Sequence, residues 1–164
     1  MRPRAVLVLL AALASAAAAG EPGEELGPAR RAAVAASVRR FALEVAAQVS
    51  ARGPTAWRQY FSATPEFFMA VNGQLQFADS DAATRAIAAL PGVIRRLQLS
   101  WGKDLRVDPL TAQFAVVASS YTEIQASPQG QEHTERGYFT ALAERHHGAW
   151  TFRDAHWSSR PAGN

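Results

Sequence analysis

Between Ala29 and Arg52 the apolar residues Val34, Val38, Phe41, Val45 and Val49 recur at intervals of four and three, which is one face of an amphipathic helix. Pro28 suits its first turn, and Gly53-Pro54 ends it. A shorter helix, Thr55 to Phe61, presents Trp57, Tyr60 and Phe61 along one side. Phe67 to Val71 reads as a short strand, Asn72-Gly73 as a hairpin turn, and Gln74 to Phe77 as the returning strand. Asp79 or Ser80 can cap a third helix that runs to about Leu90 and stops at Pro91-Gly92.

The pattern then changes to period two. From Val93 to Trp101, Leu97, Leu99 and Trp101 share one face and Arg96, Gln98 and Ser100 the other. Thr111 to Gln125 is a long strand whose middle, Phe114 to Ala118, is apolar on both faces. Ser127-Pro128-Gln129-Gly130 is a turn. Glu132 to Arg145 and Ala149 to Ser159 form a last hairpin around His147-Gly148. Three helices and a hairpin followed by four long antiparallel strands make an α+β domain. Helices can cover only one side of such a sheet, so the two-sided apolar strand predicts a homodimer through the outer sheet face.

Met1 to Gly20 stands apart. Arg2 and Arg4, the apolar run Ala5 to Leu13 and the small residues Ser15 to Ala19 have the layout of a secretory signal peptide cut near Ala19. The expected organisation is a signal over residues 1–19, a lead-in over 20–28, one domain over 29–160 and a tail over 161–164. Export follows, to periplasm or medium, with no membrane association after cleavage. Losing two of the 17 basic residues and none of the 14 acidic ones leaves 15 against 14, a formal charge of +1. Arg30-Arg31, Arg39-Arg40 and Arg95-Arg96 are separated pairs, so no nucleic-acid partner is expected. Lys103 is the sole lysine, a bias expected of a GC-rich bacterial genome. With no cysteine, disulfides, thiolate metal sites, a cysteine nucleophile and a lipoprotein anchor are excluded.

The order and spacing of several short motifs carry a resemblance. Trp57-x-x-Tyr60-Phe61 precedes the first short strand, Val71-Asn72-Gly73 forms its turn, Gly137-Tyr138-Phe139-Thr140 follows, and Gly148-Ala149-Trp150 leads to His156-Trp157-Ser158. Over about Ala29 to Ser159 the chain resembles the nuclear transport factor two-like superfamily, which includes SnoaL-like polyketide cyclases and ketosteroid isomerase. The resemblance implies three N-terminal helices packed in a strongly curved antiparallel sheet, a cone-shaped, cystatin-like α+β roll with an apolar pocket inside. Such a pocket suits a small apolar or amphipathic molecule.

Candidate site residues follow from facing. Trp150, Phe152, Asp154, His156 and Ser158 alternate onto one face of the last strand, which Trp150 and Phe152 mark as inward; Trp157 then faces outward, toward the dimer contact. A three-residue loop at His146-His147-Gly148 sets Leu142 opposite Phe152, Thr140 opposite Asp154 and Tyr138 opposite His156. A two-residue loop replaces these with Ala143, Ala141 and Phe139, and the first is preferred because it gives the polar groups partners. His156 is the candidate general acid or base with Asp154 orienting it. Trp57, Tyr60, Phe61, Trp101, Tyr138, Thr140, Phe152 and Ser158 are the candidate ligand contacts.

Ketosteroid isomerase-like chemistry needs a carboxylate after the first short strand, and Phe68 to Gly73 contains none. Asp104 and Asp108 near Gly102-Lys103 and Pro109 read as solvated loop residues, and Asp79 and Asp81 as helix-start residues. His146 and His147 point to opposite sides and His133 lies near another turn, so neither metal nor cofactor is expected. The first functional expectation is non-catalytic ligand binding or a dimeric interaction module. The alternative is a cofactor-free cyclase, isomerase or dehydratase in which His156 moves a proton and Tyr138 or Tyr60 stabilises developing oxyanion charge.

Overall fold

The structure, a computed structural model, describes residues 26–160; the expected signal and tail lie outside them. Helix α1 spans Pro28–Arg52 and buries the predicted stripe Val34, Val38, Phe41, Val45 and Val49. Gly53 ends it with φ 82°, a left-handed conformation that favours glycine, and its N–H donates to the Val49 carbonyl at 2.9 Å. The next turn, Pro54–Gln59, is 3₁₀. Strands β1 (Phe68–Val71) and β2 (Gln74–Phe77) flank Asn72 and Gly73, both at positive φ, as a two-residue hairpin turn requires. Helix α2 is Ser80–Ala89, capped by the Asp79 carboxylate, which accepts from the Ala82 N–H at 2.7 Å.

Five further strands complete the sheet: β3 (Arg96–Trp101), β4 (Arg106–Pro109), β5 (Phe114–Ala126), β6 (Glu132–His146) and β7 (Ala149–Ser159). Their order is β2-β1-β7-β6-β5-β3, with β4 also paired to β5. The sheet curls around α1, as the resemblance implied. It is mixed rather than antiparallel throughout, because β1 runs parallel to β7. Two indole N–H groups tie the helix to the sheet: Trp101 donates to the Ala42 carbonyl at 2.7 Å and Trp150 to the Ser37 hydroxyl at 3.0 Å.

Two features differ from expectation. Asp108 belongs to an edge strand, not a loop, and Pro109 is tolerated there because an edge strand needs fewer ladder donors. Asp104 locks the preceding loop, its carboxylate accepting from the Ser120 N–H and, at 2.6 Å, the Ser120 hydroxyl; these bonds lower its pKa.

The second difference re-aims the last strand. The β6–β7 loop has two residues, His147 and Gly148, both at positive φ, so Ala143 pairs with Phe152. A bulge then leaves Arg153 unpaired, and Leu142 meets Asp154, Thr140 meets His156 and Tyr138 meets Ser158. Neither loop reading carries the correct register past that point. The extra residue switches the faces, so Trp150, Phe152, Ala155 and Trp157 are buried whereas His156 is exposed.

Candidate functional site

Apolar side chains from the 3₁₀ turn, α2, β1, β2, β3 and β7 line an open cavity of about 300 Å³. One wall is aromatic: Trp57 and Phe61, stacked at 5.2 Å, with Trp157 edge-on to Trp57 at 5.6 Å and Phe77 from β2. The other wall carries Glu123 and Gln125 from β5 and Glu135 from β6. Glu123 and Glu135 are direct cross-strand partners, which brings two carboxylates to one edge of an apolar space.

The two are held differently. Glu135 accepts from the Tyr121 phenol and, at 2.8 Å, from the Ser159 hydroxyl. Ser159 is fixed in turn by Asn72 of the first hairpin, whose side-chain amide donates to its hydroxyl at 3.1 Å and whose carbonyl accepts its N–H at 2.7 Å. Glu123 accepts only from the Gln125 side-chain amide among these. Burial raises the Glu123 pKa, opposed by the Gln125 bond; the Glu135 charge raises it further and His133 lowers it. Burial likewise raises the Tyr121 phenol above its ordinary value, reinforced by its bond to Glu135, so it stays a neutral donor. The lifted pKa makes Glu123, beside a carboxyl anchored by hydroxyl donors, the candidate proton carrier of this edge.

Of the residues expected from sequence, Trp57 and Phe61 line this cavity. Phe152 is fully buried between Phe41 at 4.9 Å and Phe139 at 5.2 Å, and Trp101 packs on Phe139 at 5.1 Å; both are core contacts, not lining. Tyr60 borders a separate, more polar cleft with Glu44 and Arg40, where burial and the Glu44 charge raise its pKa. His156, Asp154 and Ser158 stand on the face turned away from α1 because of the Arg153 bulge, and Tyr138 and Thr140 share that face because β6 buries the alternate residues Phe139 and Ala141. Burial, opposed by Arg153 and reinforced by Glu144, raises the Asp154 pKa, but no hydrogen bond joins Asp154 to His156 among the described residues. Trp157, placed outside by simple alternation, is the hub of the inner wall.

Sequence reasoning missed Glu123, Gln125 and Glu135. The Ser127–Gly130 turn announced the β5–β6 hairpin but not its register: counting outward from those four residues pairs Glu123 with Thr134. The extra loop residue Gln131, whose carbonyl accepts from the Ser127 N–H, moves the partner to Glu135. Among the described residues, no group of three or more His, Asp or Glu side chains converges as a metal site, and no helix is long and apolar enough to cross a membrane.

No protein-family model matches the chain, and no curated protein sequence matches it. Solved structures do. A putative scytalone dehydratase from Novosphingobium aromaticivorans superposes with a TM-score of 0.65 at 12% identity, covering 77% of this chain and 83% of that one. A nuclear transport factor 2-like superfamily protein from Salmonella enterica gives 0.61 at 12% identity over 82% and 94%. A hexachlorocyclohexane dehydrochlorinase, LinA-type3, from Novosphingobium barchaimii gives 0.62 at 14% identity over 82% and 92%.

Proposed function

From the premise that this chain has the nuclear transport factor 2-like fold, we propose that it binds a small, largely apolar molecule in the cavity between the 3₁₀ turn, α2 and the sheet. The carrying observation is the cavity itself: about 300 Å³, aromatic on one wall, with a few convergent polar groups at one edge. That volume lies at the small end of small-molecule sites. The expected export signal makes it an exported binding protein of bacterial origin.

The neutral fluorophore N-phenyl-1-naphthylamine tests this. It should bind saturably with enhanced emission, and Leu90→Trp, which fills the cavity without burying a charge, should weaken binding by about tenfold or more, about 1.4 kcal/mol. Absence of saturable binding, or binding indifferent to Leu90→Trp, refutes the reading.

A second reading, a cofactor-free enzyme, is favoured by the raised pKa of Glu123 beside the anchored Glu135. In it Glu123, rather than His156, moves the proton, and Tyr121 is the neutral donor. Conversion of the bound ligand, rather than its release unchanged, separates this reading from simple binding. Two of the similar folds are a dehydratase and a dehydrochlorinase by name, which is compatible with either.

We also propose that two copies pair through the outer sheet face. Val116, Tyr138 and Phe68 are exposed there, on β5, β6 and β1. Sedimentation should give a dimer at micromolar concentration and a monomer for the double variant Val116→Glu, Tyr138→Glu. A monomeric parent refutes it.

A further inference from the structure

We infer that the ligand of this cavity is an organic cation, a protonated amine carried on a compact apolar body. This deepens the binding reading above and rests on it. Three observations converge. Glu123 and Glu135 face each other across adjacent strands at one edge of the cavity, and like charges directly opposite repel. No Lys or Arg is among the side chains that line the cavity, and among the described residues neither carboxylate forms an ion pair. The lining also includes the two indoles of Trp57 and Trp157 and the ring of Phe61.

Each part of an amphipathic ammonium finds a counterpart there. The charged nitrogen lies against the carboxylate edge and relieves the repulsion between Glu123 and Glu135. Its substituents lie against indole faces, which attract cations through their quadrupole. The apolar body takes the place of water against Met69, Ile87 and Leu97. A bare metal ion does not suit the site, because only two carboxylates and an amide converge and the remaining wall offers no ligand atoms. A carboxylate ligand is repelled by the same pair that attracts the amine.

The charge on this edge depends on pH through named groups. Glu123 on β5 has its pKa raised, and on β6 it faces Glu135 and His133, with Tyr121 neutral beside them. As pH falls, Glu123 gains its proton earlier than an ordinary carboxyl does, and that weakens the hold on a cation.

Displacement of N-phenyl-1-naphthylamine by three eight-carbon probes decides the matter. At neutral pH octylammonium should displace the fluorophore at about tenfold lower concentration than octanol, with octanoate weakest, and the advantage over octanol should shrink as pH falls. Glu123→Gln and Glu135→Gln should each reduce that advantage while leaving octanol unchanged, which also reports that the variants fold. Octanol equal to or better than octylammonium overturns the cation assignment and leaves the cavity reading standing. An advantage that survives both substitutions also overturns it. A parent protein that does not bind the fluorophore overturns both readings.

Discussion

Replacing Gly137 with alanine should destabilise the protein by about 3 kcal/mol and release the Tyr121 phenol, although the change adds a single methyl group. Gly137 sits on β6 between Tyr121 of β5 and Ser159 of β7. A Cβ built there would stand 1.9 Å from the Ser158 carbonyl oxygen and 2.9 Å from the Tyr121 ring. Neither obstacle is the free end of a flexible chain. One is the backbone of the neighbouring strand, and the other is a ring that is 3% exposed. Absence of a side chain at Gly137 is what lets the Tyr121 ring lie across β6 and deliver its hydroxyl to Glu135 two residues away. Alanine forces the ring off and pushes β7 away at Ser158, so the Ser159 contact with Glu135 loosens as well. Urea unfolding measures the loss. Spectroscopic titration of tyrosine measures the release, because a phenol freed from burial and from Glu135 returns toward its ordinary pKa of 10.0. Gly92→Ala, where nothing lies within 4 Å of the new methyl, should stay within about 0.5 kcal/mol of the parent. A Gly137→Ala protein as stable as that control, with Tyr121 still resisting titration, refutes the account.

Gly137 also shows what kind of information the sequence exposes. Its motif, Gly137 to Thr140, is readable as a piece of strand, yet the reason for the glycine lies in residues 16 and 21 or more positions away. Elements set by local chemistry were legible: the four-three stripe of α1, the Asp79 cap, the Asn72-Gly73 turn. The β5–β6 hairpin was legible as a pair of strands but its register was not, because Gln131 joins the recognised turn. Strand β4 was not, because four residues ending in proline look like a loop until an edge of β5 is there to accept them. The Arg153 bulge was the decisive loss. Period-two reasoning carries a phase from Phe152 to the end of the chain, and one inserted residue reverses every assignment after it. A trace of it exists in the sequence: the apolar residues run Trp150, Phe152, then Ala155, Trp157, a change of phase within one strand. Taking that break as a bulge places Trp157 inside and His156 outside. The acidic edge of the cavity needs one step more, the inclusion of Gln131 in the β5–β6 loop.

Trp157→Ala should therefore cost about 3–5 kcal/mol, while His156→Ala, its immediate neighbour, should cost no more than about 0.5 kcal/mol. Trp157 lies 4.5 Å from Phe139, 4.7 Å from Tyr121, 5.6 Å from Trp57 and 5.9 Å from Trp101, centroid to centroid. Removing the indole strips four aromatic rings of a common partner. The space left opens onto the existing cavity, so water enters and wets apolar faces that were dry, which adds to the lost packing. Total stability for a domain of this size is about 5–15 kcal/mol, so the loss is at least about a fifth of it and, for a marginal domain, most of it. His156 has no buried surface of that kind; it is exposed on the outer face opposite Thr140. The ratio between the two neighbours is the informative quantity, because uninterrupted alternation along β7 predicts the reverse. Chemical denaturation followed by far-ultraviolet circular dichroism avoids dependence on the deleted fluorophore. If His156→Ala proves the more damaging of the two, β7 runs without its bulge, Trp157 leaves the inner wall, and the aromatic half of the ligand site goes with it.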